Sequence, residues 1–361
     1  MLKKAAALLL VCASMGAWLG CGSTSNRFLY AAIPSSNEIV AFREDPNSGA
    51  LIQLVGSPIT AGPGVNAVAI HPSKKFLYAA NSAVSPGNIS LFTIASSGAL
   101  TESGTRTNAG TAPTLMVMDS AGAFLYVGNS GSNDISVFSI DSSKGTLTPV
   151  AQQGGATAPI GLSPFNMQIS PSGNVLYVTG QNLLTQGYIE AFSVSNGVLA
   201  TTAIAGSPFL TGNGPFGLAI DSTGSHLYTA NTLDSSISAF TIQSDGSLSL
   251  LSTTGQTTSA SVSLFIDKSG KYLYVANRGS ANLGGFSVGS DGSLTLLSSS
   301  PFATGAQPIF VTGDPGGKYL FVGNQSSPVI QSFSLDTGSG TLTSVGTYGV
   351  PGTPTSIAIT P

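Results

Sequence analysis

Few side chains in this sequence can do acid–base or charge chemistry. It holds eleven Asp, four Glu, two His and twelve Lys or Arg among 361 residues. The charged fraction is 7%, against about 25% in an average soluble protein. Nine of the Asp fall in turn sequences. Asp119, Asp221, Asp267 and Asp314 share one recurring turn, and Asp45, Asp141, Asp245, Asp291 and Asp336 lie in or beside another. Such Asp side chains hydrogen-bond their own backbone. His71 and His226 sit in or just after turns of the first kind, without a ligand-spaced partner. No metal site, phosphate loop or Ser-His-Asp constellation is legible, and no cofactor is expected. What remains for chemistry is Asp234 and Glu190 as candidate bases and Arg278 as a cation.

The elements that hold these residues are repeated. An apolar residue, Leu and Tyr or Phe recur as Phe28-Leu29-Tyr30, Phe76-Leu77-Tyr78, Phe124-Leu125-Tyr126, Val175-Leu176-Tyr177, His226-Leu227-Tyr228, Tyr272-Leu273-Tyr274 and Tyr319-Leu320-Phe321. The spacings are 48, 48, 51, 51, 46 and 47 residues. A Gly-x-Leu phrase keeps the same count, from Gly49/Leu51 to Gly340/Leu342. Each unit holds four short apolar segments, separated by Asp-Gly and Ser-Gly turns suited to hairpins. Segments such as Ala67–Ile70 are apolar throughout and need cover on both faces. Stacked four-stranded blades around an axis supply that cover. The pattern predicts an all-β, seven-bladed β-propeller with four antiparallel strands per blade. The first unit lacks its first segment, and an orphan first segment, Thr355–Thr360, ends the chain. The C-terminal strand is therefore expected to complete the first blade and close the ring.

Three spans are expected: residues 1–20 as a lipoprotein signal peptide, 21–26 as a lipidated linker and 27–361 as a single propeller domain. Lys3 and Lys4 precede an apolar run too short to span a bilayer. Ala17-Trp18-Leu19-Gly20-Cys21 resembles a bacterial lipobox. The resemblance implies cleavage before Cys21, acylation of its thiol and attachment to a membrane, with two acyl chains sufficing. Gly22 rather than Asp follows, which by resemblance to lipoprotein sorting signals implies the outer membrane or periplasmic side rather than inner-membrane retention. Cys12, the other cysteine, leaves with the signal, so neither disulfides nor Cys metal sites are expected. A net charge of −3 without a basic cluster excludes nucleic acid as a partner.

The Tyr-Val-Ala-Asn phrase at 274–277, with Pro-Ser-Gly or Asp-x-x-Gly turns before such phrases, resembles the YVTN and lactonase group of seven-bladed propellers, which includes 6-phosphogluconolactonase-like enzymes. The resemblance implies a Pro-Arg-His triplet on an innermost strand and a Glu after the Tyr-Val-x-Asn phrase. The slot for the triplet lies 13 residues before each repeat Tyr. Its occupants, among them Pro113-Thr114-Leu115, Pro164-Phe165-Asn166, Pro215-Phe216-Gly217 and Pro308-Ile309-Phe310, contain neither Arg nor His. The Glu slot holds Ser82, Ser130, Thr232, Arg278 or Gln325.

A binding face is expected where Asn81, Asn129, Asn231, Asn277 and Asn324 form a ring of amides with Arg278, around a mouth lined by Phe165, Phe216 and Phe310. The first expectation is a lipid-anchored, non-catalytic module that binds a peptide, a glycan or an envelope protein. The alternative is a divergent lactonase acting on a sugar lactone, with Glu190 or Asp234 as base and Arg278 as oxyanion partner. A scaffold without a small ligand is a third reading. Oligomeric state is not legible.

Overall fold

The computed structural model describes residues 26–153, 155–181, 186–254 and 259–361. Cys21 and the targeting segment lie outside these residues. Among the described residues the strands form seven antiparallel sheets, each running outward from an inner strand. Blade 1 comprises Ser356–Ile359, Arg27–Ile33, Glu38–Glu44 and Leu51–Gln53. Blade 5 comprises Pro215–Ile220, His226–Asn231, Ser236–Ile242 and Leu248–Thr254. Blades 2, 3, 4, 6 and 7 have as second strands Phe76–Asn81, Phe124–Asn129, Val175–Gln181, Tyr272–Asn277 and Tyr319–Asn324. The ring closes as expected: Leu29 pairs with Ile359 and Ala32 with Ser356. A chain closed this way leaves no long sheet edge at its ends.

Five sheets carry one more short strand than the four expected. In blade 1 it is Ile59–Thr60, paired with Ile39 and Glu38. The linker leaving each outer strand runs beside the third strand before crossing to the next blade, so its backbone groups find partners there.

Because strands alternate in direction, the turns after the first and third strands share one face, the base. The loops after the second strands and the linkers between blades share the other, the mouth. The seams between blades are built from two repeating contacts. The first is a hydroxyl staple: the Tyr of one blade's second strand donates to a Gly carbonyl in the third turn of the next. These bonds are Tyr30 to Gly98 at 2.7 Å, Tyr78 to Gly145 at 2.8 Å, Tyr177 to Gly246 at 2.9 Å, Tyr228 to Gly292 at 3.0 Å and Tyr274 to Gly340 at 2.8 Å. All five tyrosines are buried, which pushes their hydroxyl pKa values up. The second contact is a ring laid on the glycine of the third turn at six of the seven seams. A Cβ on Gly98, Gly145, Gly197, Gly292, Gly340 or Gly49 would meet the ring of Phe28, Phe76, Phe124, His226, Tyr272 or Tyr319. All six glycines also have positive φ, so both backbone and packing exclude a side chain there.

The core is a set of clusters, each straddling neighbouring blades. Tyr30, Ile39 and Ala41 of blade 1 pack with Val68, Leu77 and Phe92 of blade 2. This burial of both sheet faces is why charged residues are scarce in the strands.

Candidate functional site

The inner strands of all seven blades line a central channel, with a cavity of about 320 Å³. Its lining includes Thr114, Gln168, Ser263, Phe310, Thr312 and Ser356, and no ionisable side chain. Adjacent inner strands are laced across it. Val68 N–H donates to Ser356 Oγ at 3.2 Å, and Val311 N–H donates to Ser263 Oγ at 3.2 Å.

Five inner strands begin with a register shift, across Val65/Ala67, Pro113/Leu115, Pro215/Gly217, Ser261/Ser263 and Pro308/Phe310. Bulges of this kind re-aim one side chain and are common beside active sites. The skipped residue is the middle of the triplet. In blade 5 it is Phe216, 40% exposed. In blade 4 the same slot holds Phe165. The two rings stack with centroids 4.3 Å apart and 4° between planes. Asn166 Nδ2 donates to the Phe216 carbonyl at 3.0 Å and ties the two blades together. Phe310 does not join them. It occupies the third slot of its triplet, not the second, and so turns into the channel and packs on the blade 7–blade 1 core.

Asp234 is exposed in the second loop of blade 5. Its carboxylate accepts from the Asn213 backbone N–H at 2.6 Å and from Asn213 Nδ2 at 3.0 Å. The same linker supplies Gly214, whose carbonyl accepts from the N–H groups of Phe216 and Thr232. Phe216 and Asp234 therefore hang from one knot of backbone. Blade 6 is bound to this knot. Ala260 N–H donates to Ser235 Oγ at 3.2 Å, while Arg278 N–H donates to the Ala260 carbonyl at 3.0 Å. Arg278 is exposed and forms no ion pair among the described residues. Arg106, after the outer strand of blade 2, is held by Glu102 at 2.8 Å. Hydrogen bonds thus join the blade 5 and 6 loops that carry Asp234 and Arg278, beside the aromatic pair of blades 4 and 5.

The ring of amides is not a surface. Asn81, Asn129, Asn231, Asn277 and Asn324 are each 0% exposed. Asn81 Nδ2 donates to Asn88 Oδ1 at 2.8 Å and to Ser90 Oγ at 3.0 Å. Asn129 and Asn231 hold Ser136 and Ser238 in the same way, at 2.9 Å each. A linker glycine lies over each of four amides, Gly62, Gly110, Gly212 and Gly305, where a Cβ would collide with the Asn. Asn81, Asn129, Asn231 and Asn277 are latches between the second and third strands, and all five asparagines lie out of reach of a ligand.

Blade 4 departs from this latch. Gly180 replaces the Asn, Leu162 fills the space above it, and Glu190 stands opposite Val178 where blades 2, 3 and 5 have Ser90, Ser136 and Ser238. Glu190 faces the Gly161 backbone N–H, its Oε2 is buried without a partner, and burial pushes its pKa up. A raised pKa by itself would suit a base, but the Glu190 carboxyl is turned into the seam toward Gly161, whereas Asp234 is exposed in its loop. The two histidines are structural. His226 Nδ1 lies 2.9 Å from Asp221 Oδ2, and His71 bridges Ser73 Oγ at 2.8 Å and the Gly122 carbonyl at 3.0 Å. Among the described residues no three His, Cys, Asp or Glu converge as a metal site.

The fold and channel define a seven-bladed β-propeller. The chain belongs to the family described as Lactonase, 7-bladed beta-propeller, which it matches over residues 23–162, 156–264 and 249–359. It is 27% identical over 223 residues to a 6-phosphogluconolactonase of Serratia proteamaculans, covering 61% of this chain and 62% of that one. It is 30% identical over 226 residues to a 6-phosphogluconolactonase of Erwinia tasmaniensis, covering 60% and 62%. The chain thus spans about 62% of the length of these curated relatives. Among solved structures it resembles a putative 6-phosphogluconolactonase of Bacteroides fragilis, with TM-score 0.78, 24% identity and coverage of 94% and 99%. It also resembles a periplasmic gluconolactonase of Pseudomonas aeruginosa, with TM-score 0.76, 19% identity and coverage of 93% and 99%.

These relatives overturn the first expectation, a non-catalytic module for a peptide, a glycan or an envelope protein. Its premise was that empty triplet slots mean lost chemistry. The curated relatives are lactonases, and the lactonase alternative is the reading they favour.

Proposed function

We propose that this protein hydrolyses a sugar lactone at the channel mouth. The observation that carries the reading is the gathering of Asp234, Arg278 and the Phe165–Phe216 platform on one laced set of loops. The lactone ring lies on the aromatic pair. Asp234, aimed by Asn213, takes a proton from a water whose oxygen bonds to the carbonyl carbon. The negative charge that develops on the former carbonyl oxygen sits against the Arg278 guanidinium. Collapse breaks the bond to the ring oxygen, which takes up the proton, and the product is the open-chain hydroxy acid. Arg278 is the one cation in these loop positions, so an unphosphorylated lactone suits this mouth better than a phosphorylated one.

The lipobox supports attachment of the enzyme to the cell envelope through Cys21, on the outer-membrane or periplasmic side. Arg27, where the described residues of blade 1 begin, lies on the base beside Asp314. Cys21→Ser should move the protein from the membrane fraction to the soluble one.

The test of the site is steady-state hydrolysis of glucono-δ-lactone by wild type, Asp234→Asn and Arg278→Ala. Each variant should lose 10²-fold or more in kcat, roughly the scale of a general base or one oxyanion donor. An unchanged kcat in both variants excludes this site.

A further inference from the structure

The column of rings on glycines is broken once. At the seam between blades 4 and 5, Val175 stands where the other six seams have Phe, Tyr or His, and it faces Gly246. A cavity of about 460 Å³ opens there on the base, reaching in to Val175, Tyr177 and Gly246. That volume is within the range of small-molecule sites, about 300–1,000 Å³. Its floor is apolar, from Val175, Val194 and Ile242, and its walls are neutral and polar. The Ser193 and Ser244 hydroxyls and the Asn174 Nδ2 amide line it without protein hydrogen-bond partners. No Lys or Arg lines it, and Asp245 is its one charged group.

We infer that this cavity is a second ligand site, for a neutral hexopyranose unit. The missing side-chain ring leaves room for a ligand ring, whose C–H face packs on Val175 and Ile242. Its hydroxyls pair with the serines, Asn174 and Asp245. The absence of any cation excludes phosphorylated or acidic sugars. The site lies on the face away from the mouth and does not depend on hydrolysis there.

The test is ligand-observed NMR and thermal shift with glucose, galactose and N-acetylglucosamine, each as monosaccharide and as trisaccharide. At least one probe should bind saturably and raise Tm by mass action, the two sizes telling a free sugar from a glycan end. Val175→Phe, which restores the ring column, should abolish binding while leaving glucono-δ-lactone turnover unchanged. Ser244→Trp on the exposed rim should also block it, and serves if Val175→Phe fails to fold. The inference is overturned if no probe binds the wild type, or if a folded blocking variant binds as tightly as wild type.

Discussion

The rings of Phe165 and Phe216 lie parallel, 4.3 Å apart, although they belong to different blades. Their overlap makes one aromatic surface beside the loop that carries Asp234. Offset stacks are worth about 0.5–1.5 kcal/mol beyond burial, so the pair is held in place before a substrate arrives. Phe216→Ala should raise KM for glucono-δ-lactone about 10-fold and leave kcat nearly unchanged. A fall in kcat with constant KM would show that the platform does not bind the ground state.

The buried asparagines make a separable prediction. Asn231 Nδ2 serves Ser236 and Ser238 at 3.0 and 2.9 Å. Asn231→Ala leaves those groups without that donor inside the blade. Urea denaturation should show a loss of about 1–3 kcal/mol, while KM stays at the wild-type value. A raised KM without a stability change would return the amide to the binding face.

The hydroxyl staples are also measurable. Tyr78 donates to the Gly145 carbonyl from a fully buried position. Tyr78→Phe keeps the ring and removes the bond, and should cost about 1–2 kcal/mol. Chemical denaturation with an unchanged m-value would confirm that the loss is local.

Ring closure should respond to pH through Glu44. Arg27 lies 2.5 Å from Asp314 and 3.5 Å from Glu44, so two carboxylates share one guanidinium where blade 7 meets blade 1. Burial, then the Asp314 charge, pushes the Glu44 pKa up to about 7 against the pull of Arg27, with Asp45 a small further push. The folded pKa lies above the unfolded one. The stability this group contributes is therefore complete below about 4.5 and is lost as pH rises through 7. Glu44→Gln should match wild type near pH 4.5 and exceed it at pH 8 by about 2 kcal/mol. A pH-independent difference between the two would place the charge elsewhere.

Much of this architecture was legible because repetition is a sequence property. The Tyr and Gly-x-Leu phrases counted the blades, and the orphan Thr355–Thr360 segment announced the closure. The latch role of the asparagines was harder to see, since a strand-ending Asn looks alike exposed or buried. The signal lay in the glycines 19 residues upstream, Gly62 before Asn81 and Gly110 before Asn129, which have no Cβ because an amide fills that space. The mouth was only partly legible. Asp234, Arg278 and the two stacking phenylalanines could be named from their slots. The lacing through Gly214 and Ala260 depends on backbone hydrogen bonds between blades, which no linear spacing encodes. The break at Val175 was visible in the repeat, but a cavity there needed the seam to be seen.

The central claim is that the mouth of this propeller performs lactone hydrolysis. Its most direct test is the initial rate of glucono-δ-lactone opening, followed at constant pH with and without purified protein. Hydrolysis at this mouth predicts a rate that saturates with substrate, stands well above spontaneous opening and returns to that background in Asp234→Asn. A rate with protein that equals the spontaneous one across the substrate range would contradict it.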